Sequence, residues 1–220
     1  MKTLIIFALL FLQSISVSAL YFDFEDDAQL GQWDSLGTWQ IIRDNDRGSK
    51  VLSGEGANEV CTLIGEENWT DYTIEFEASG QTDEISVAFR AKDANTYIGF
   101  MIAPSLNLTE FFQKLNGAFD EGIAAKADSL GVKIQVWHKY RLEVEGNTAT
   151  AYVDDKKALN PLDLGKLPKD FAMGRVGFRQ WADKAYYDNV LITGPDIPRS
   201  PGENAVSPMR KLSATWGSIK

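Results

Sequence analysis

Strict two-residue alternation of apolar and polar side chains recurs along this chain, and convincing helical periods are absent. Tyr72-Thr73-Ile74-Glu75-Phe76-Glu77 sets Ile74 and Phe76 on one face and Glu75 and Glu77 on the other, the signature of a half-buried strand. Ile85 to Arg90 repeats it, with Ser86, Ala88 and Arg90 outward. Tyr140 to Glu145 does so again, turns at Gly146-Asn147 and returns through Thr150-Ala151-Tyr152-Val153. Phe111 to Leu115 runs into Asn116-Gly117, a strong hairpin signal because both residues tolerate positive φ. The stretch from Asp120 to Asp128 then reads as the return strand rather than a short helix. Arg175 to Phe178 and Tyr186 to Ile192 complete the series. Short strands with turns at roughly ten-residue spacing predict an all-β fold, a two-sheet antiparallel β-sandwich of jelly-roll type.

Two terminal segments depart from this pattern. In residues 1–19, Lys2 precedes the apolar run Leu4 to Leu12, and Val17-Ser18-Ala19 forms a small-residue cleavage site. That arrangement predicts a signal peptide, and the run is well short of the ~20 residues a membrane span needs. The mature protein is therefore expected to be secreted, periplasmic or cell-surface, without a membrane span. The domain is expected over 20–194. From Pro195 the chain holds four of its seven prolines, and Arg199, Arg210, Lys211 and Lys220 outnumber Asp196 and Glu203. Residues 195–220 thus read as a flexible basic tail. Its closing Trp216 makes it a candidate for docking to another protein or to an export and sorting system.

Composition narrows the chemistry. One Cys and one His exclude a disulfide framework and multi-Cys or multi-His metal centres. A net charge of −9 argues against nucleic acid, which needs concentrated Lys and Arg. Cys61 lies in the apolar run Val60 to Ile64 and reads as a buried, inert thiol. Trp33, Trp39, Trp69 and Trp137 are assigned mainly to the core.

The ordered motifs resemble a known superfamily. Asp23-Phe24-Glu25-Asp26 with Trp33 and Trp39 is similar to the opening of concanavalin A-like and laminin-G-like jelly rolls. Trp69-Thr70-Asp71-Tyr72, Val87-Ala88-Phe89-Arg90 with Tyr97, and Trp137 to Val144 resemble successive strands of that fold. Val153-Asp154-Asp155-Lys156, Gly174-Arg175-Val176-Gly177-Phe178 and Tyr187-Asp188-Asn189-Val190 resemble its later turn and closing strands. The resemblance spans 20–194 and is nearest to 3-keto-disaccharide hydrolase-like domains and fructan-binding carbohydrate-binding modules. It implies two stacked antiparallel sheets, frequent glycan binding and often a structural calcium ion. The fold does not choose among enzyme, lectin and adhesion module.

The E-x-D-x-x-E strand of the superfamily's retaining glycosidases is absent; Glu75/Glu77 and Glu143/Glu145 lack a third carboxylate. No nucleotide fingerprint occurs, and a nucleophilic triad would depend on His138 alone. The leading expectation is non-catalytic carbohydrate binding. The alternatives are hydrolysis of a modified disaccharide of 3-keto-glycoside type, and a structural or adhesive surface role. Ser79 to Thr82 is expected to bring the strand of Glu75 and Glu77 alongside that of Arg90, pairing a guanidinium fork with acceptors for sugar hydroxyls. Tyr97, Arg179 and Trp181 join these as ligand-binding candidates, since a flat aromatic stacks on a sugar ring. Asp23, Glu25 and Asp188 are the candidate ligands for structural Ca2+, on the expectation that first and last strands pair.

Overall fold

The computed structural model describes residues 18–198. The leader to residue 17 and the tail from residue 199, on which the expectations of export and docking rest, lie outside the described residues.

The first half of the chain forms β1 (Ser18–Phe22), β2 (Asp34–Leu36), β3 (Thr38–Asp44), β4 (Ser49–Glu55) and β5 (Glu59–Ile64). Then come β6 (Tyr72–Gly80), β7 (Ile85–Asp93), β8 (Thr96–Ala103), β9 (Leu108–Leu115) and β10 (Ala118–Lys126). The second half gives β11 (His138–Glu145), β12 (Thr148–Val153) and two-residue β13 (Lys156–Lys157) and β14 (Leu162–Asp163). It closes with β15 (Arg175–Trp181) and β16 (Lys184–Gly194).

Two antiparallel sheets stack as a sandwich. The first runs β13-β12-β11-β6-β16-β4-β3, with β1 also on β16 and β14 on β12. The second runs β10-β9-β8-β7-β15-β5-β2. First and last strands do pair, from Ser18 against Gly194 to Phe22 against Val190. Residues 116–117 turn β9 into β10, and Asn116 has φ 51° and Gly117 φ 85°, as the Asn-Gly hairpin requires. The stretch after it is the return strand, not a helix.

Alternation decides what fills the core. Ile74 and Phe76 of the first sheet meet Val87, Phe89, Ile98, Phe100 and Phe178 of the second in one cluster. Stacked rings mark its centre: Phe178 and Tyr187 lie 4.0 Å apart at 21°, and Phe76 and Tyr140 5.2 Å apart at 10°. Trp33, Trp39 and Trp69 are buried as expected. Trp137 is not: it is half-buried, with the Arg47 guanidinium 4.2 Å from its ring centre, because it precedes β11 and lies outside that strand's inward parity. Ile197 is packed into the core, so the folded body continues past residue 194.

One expectation of strand pairing is overturned. β6 and β7 belong to different sheets, so the link from Gly80 crosses the sandwich instead of turning a hairpin. Gly80 allows this close passage: a Cβ there would lie 2.3 Å from the Asp83 carbonyl oxygen. Glu75 and Glu77 therefore face away from Arg90.

Candidate functional site

The outer face of the second sheet carries a second, smaller buried cluster, comprising Cys61, Leu63, Ala88, Ala91, Tyr97, Met101, Ala103 and Phe112. It arises from the residues that alternate with the core positions. On β8, Ile98, Phe100 and Ile102 point inward while Tyr97, Met101 and Ala103 point out. Gly99 shares that outward parity, and its missing side chain is the seat of the Phe112 ring, 2.1 Å from where a Cβ would stand.

Charges gather on this apolar bed. Arg179 donates from Nη1 to Glu84 Oε1 at 2.5 Å and from Nε to Glu59 Oε1 at 3.3 Å. Glu59 also accepts from the Tyr97 hydroxyl and from Lys114 Nζ. Three rings surround the guanidinium, with Phe112 and Trp181 each 5.2 Å and Phe119 5.6 Å from its central carbon. Phe119 packs edge-on to Trp181 at 5.1 Å and 69°. Nearly all of this is covered, but Trp181 remains 46% exposed.

Burial sets the electrostatics. It pushes the Glu84 carboxyl up to about 7, and the adjoining Arg179 only partly offsets the rise. Burial opposes the charge of Arg179, yet Glu84, Tyr97 and Glu59 outweigh it and hold the guanidinium above its ordinary value. The Tyr97 phenol is raised by burial and stays protonated, so it donates to Glu59. Cys61 is pushed up to about 12 by burial, which makes it the inert thiol expected of it. Arg179 and Lys114 thus face Glu84 and Glu59 out of water. Removing one member of such a set leaves an uncompensated charge, at a cost of about 3–5 kcal/mol.

The expected site residues fall into three places. Tyr97, Arg179 and Trp181 come together here, although the Tyr97 ring is fully buried and presents no face to solvent. Arg90 stands at a break in β7 register with φ 49°, and its side chain reaches Gly146 O at 2.9 Å instead of lying beside Ser86 and Ala88. Glu75 and Glu77 lie on the outer face of the first sheet. There Glu77 meets Arg47 and accepts from Asn189 Nδ2 at 2.9 Å. Burial raises the Glu75 carboxyl, against the pull of Arg141.

Each of the three carboxylates considered for calcium has a partner within the protein. Asp23 accepts from Gln29 Nε2 at 2.9 Å, and Glu25 accepts from the Lys50 amide at 3.1 Å. Asp188 is bridged at 2.8 Å by Arg47 Nε, so a guanidinium supplies its positive charge. No group of three or more His, Cys, Asp or Glu able to hold a metal ion occurs among the described residues.

Sequence reasoning misses Glu59, Glu84, Lys114, Phe112 and Phe119 as site residues. Glu59 shares strand parity with Cys61, a signal that points it to the same face. Lys114 likewise shares strand parity with Phe112, whereas Glu84 precedes β7 and carries no such signal; their meeting with Arg179 and Glu59 depends on sheet order.

Along the same face lies a hollow of about 320 Å³ between β2, β5, the β7–β8 turn and the start of β15. Cys61 and Leu63 line it, as do Asp34, Asp93, Asn95 and Arg175. Arg175 spans its edge, donating to Asp34 Oδ2 at 2.8 Å and to Lys92 O at 2.7 Å.

Residues 22–193 match the model of the 3-keto-alpha-glucoside-1,2-lyase-like domain. No curated protein matches the chain in sequence. Among solved structures, the chain is similar to carbohydrate-binding module CBM66 from Bacillus subtilis, with 22% identity and a TM-score of 0.61 over 74% of this chain and 96% of that one. Domain 4 of AbnA, an extracellular arabinanase from Geobacillus stearothermophilus solved with arabinotriose, aligns at 12% identity and TM-score 0.53, covering 81% and 93%. Bacillus licheniformis β-glucanase aligns at 13% identity and TM-score 0.56, covering 80% and 98%. At these identities the likeness is one of fold: a two-sheet antiparallel jelly roll.

Proposed function

The chain belongs to the 3-keto-alpha-glucoside-1,2-lyase-like domain family, and from that premise we propose that it binds carbohydrate, without catalysis, on the outer face of its second sheet. The carrying observation is the half-exposed Trp181 ring set beside Arg179, whose orientation Glu84 and Glu59 lock. An aromatic face takes the C–H side of a sugar ring, while adjoining charged groups exchange hydrogen bonds with its hydroxyls. The carboxylates of the cluster are engaged in ion pairs, which favours binding over acid–base work. Carbohydrate-binding module CBM66 and the arabinanase domain solved with arabinotriose, both among the fold neighbours, support the same reading. An affinity in the micromolar to millimolar range is expected, roughly −4 to −8 kcal/mol. The leader-like residues 1–19 support an exported protein meeting its glycan outside the cytoplasm.

A glycan array probed with wild-type protein and with Trp181→Ala tests this. Wild type should bind a defined set of glycans and the variant should lose them. Absence of binding to every glycan overturns the proposal.

The family itself favours a second reading. In that reading Glu84, whose carboxyl burial raises to about 7, is the candidate proton-transfer group. Release of free sugar from such a substrate by wild type, and its loss in Glu84→Gln, would replace binding with catalysis.

A further inference from the structure

The hollow beside the cluster gives the ligand a length. We infer that it is a second sugar subsite, continuous with the first, and that the ligand is a neutral oligosaccharide instead of a single sugar. The inference rests on the carbohydrate reading and adds to it.

Continuity comes from β5. Glu59 and Cys61 are alternate residues on one face of that strand, about 7 Å apart. Glu59 belongs to the Arg179 cluster, whereas Cys61 lines the hollow. The charges of Glu59, Arg179, Lys114 and Arg175 all act on the Cys61 thiol, so both places lie within electrostatic reach of one buried atom.

The lining states what would fill it. A volume of about 320 Å³ sits at the lower end of small-molecule sites, which run from ~300 to ~1,000 Å³. Leu63 and Cys61 give an apolar floor, and Asp34, Asp93 and Asn95 are acceptors at the rim. Arg175 Nε is buried with no partner among the described residues, while the guanidinium's other nitrogens hold Asp34 and Lys92 O. Arg175 is thereby fixed at the edge of the hollow, where it reports on what enters. Two carboxylates against one guanidinium disfavour an anion. A hydroxyl suits the set, because it donates to Asp93 or Asp34 at the lining of the hollow.

The test reads the arginine Nε–Hε signals of the full chain by NMR, with Arg175 assigned through Arg175→Lys. The probes are the mono-, di- and trisaccharides of the arabino-, fructo- and gluco-oligosaccharide series. The monosaccharide should shift the Arg179 signal alone, and the trisaccharide both Arg179 and Arg175. A trisaccharide that shifts Arg179 and leaves Arg175 unmoved overturns the inference and spares the carbohydrate reading. Probes that move neither signal overturn the inference, and the glycan array decides the carbohydrate reading separately. Ala94→Trp, which fills the hollow from the β7–β8 turn, gives a second readout by titration calorimetry. It should lower trisaccharide affinity about tenfold, to the monosaccharide level, a loss worth ~1.4 kcal/mol. Unchanged trisaccharide affinity in that variant also overturns the inference.

Discussion

The guanidinium of Arg179 and the carboxylate of Glu84 meet at 2.5 Å on the outside of a β-sheet, with side-chain exposures of 5% and 9%. An ion pair so dry costs desolvation at both partners, and its attraction repays that cost only while both are present. Glu59, Tyr97 and Lys114 extend the pair into a network that fills positions where an apolar surface would be simpler.

Arg179→Met should destabilise the protein by about 3–5 kcal/mol, because Glu84 and Glu59 lose their shared donor. Adding Glu84→Gln should restore part of that loss. Urea unfolding of the single and double variants measures both, and a single-variant loss under about 1 kcal/mol would contradict the network.

Trp181→Ala should behave in the opposite way. The ring is 46% exposed, so unfolding free energy should change by less than about 1 kcal/mol. Glycan affinity should fall at least about tenfold if the ring is the stacking surface. Equal loss of stability and binding would make Trp181 a packing residue only.

Gly99→Ala probes how the bed is built. A Cβ there would stand 2.1 Å from the Phe112 ring, and crowding of this kind costs about 1–3 kcal/mol. Thermal melting should register the loss, and Gly99→Ala combined with Phe112→Leu should recover much of it. A neutral single variant would mean that Phe112 relocates freely.

Asp188 gives stability a pH dependence of definite sign. Burial raises its carboxyl from 3.8 to about 7, with Arg47 offsetting part of the rise and Glu77 adding to it. Between those values the folded state holds a proton that the unfolded state has lost. The contribution is therefore full below about pH 4 and disappears as pH climbs through about 7. The difference in urea midpoint between wild type and Asp188→Asn should shift against wild type from pH 5 to pH 8. A difference independent of pH would refute the assignment.

The Arg47 bridge also makes a statement about calcium. Since Asp188 already has a cation at 2.8 Å, melting temperatures in calcium and in chelator should coincide. A higher melting temperature in calcium would show that the guanidinium yields its place to the ion.

Local pattern alone makes parts of this molecule legible. The alternation in 72–77 assigns the face of Ile74 and Phe76, and Asn116-Gly117 marks a hairpin, because both depend on neighbours within a few residues. The pairing of Glu75 and Glu77 with Arg90 fails for the opposite reason. Whether residues 79–82 turn back or cross the sandwich depends on which sheet each strand joins, and alternation is identical in both cases. Arg90 fails again at shorter range, since a register break in β7 carries it off the parity of Ser86 and Ala88.

Local period and hydrophobicity were enough for the strictly alternating strands, such as 72–77 with Ile74 and Phe76 inward, and for the inertness of Cys61. Only the tertiary structure decided that Glu59, Glu84, Lys114 and Arg179 share one dry cluster, and that Asp188 answers to Arg47. Those meetings join residues tens of positions apart. The free energy of a buried charge depends on what stands beside it in space, which strand order sets and local pattern does not encode.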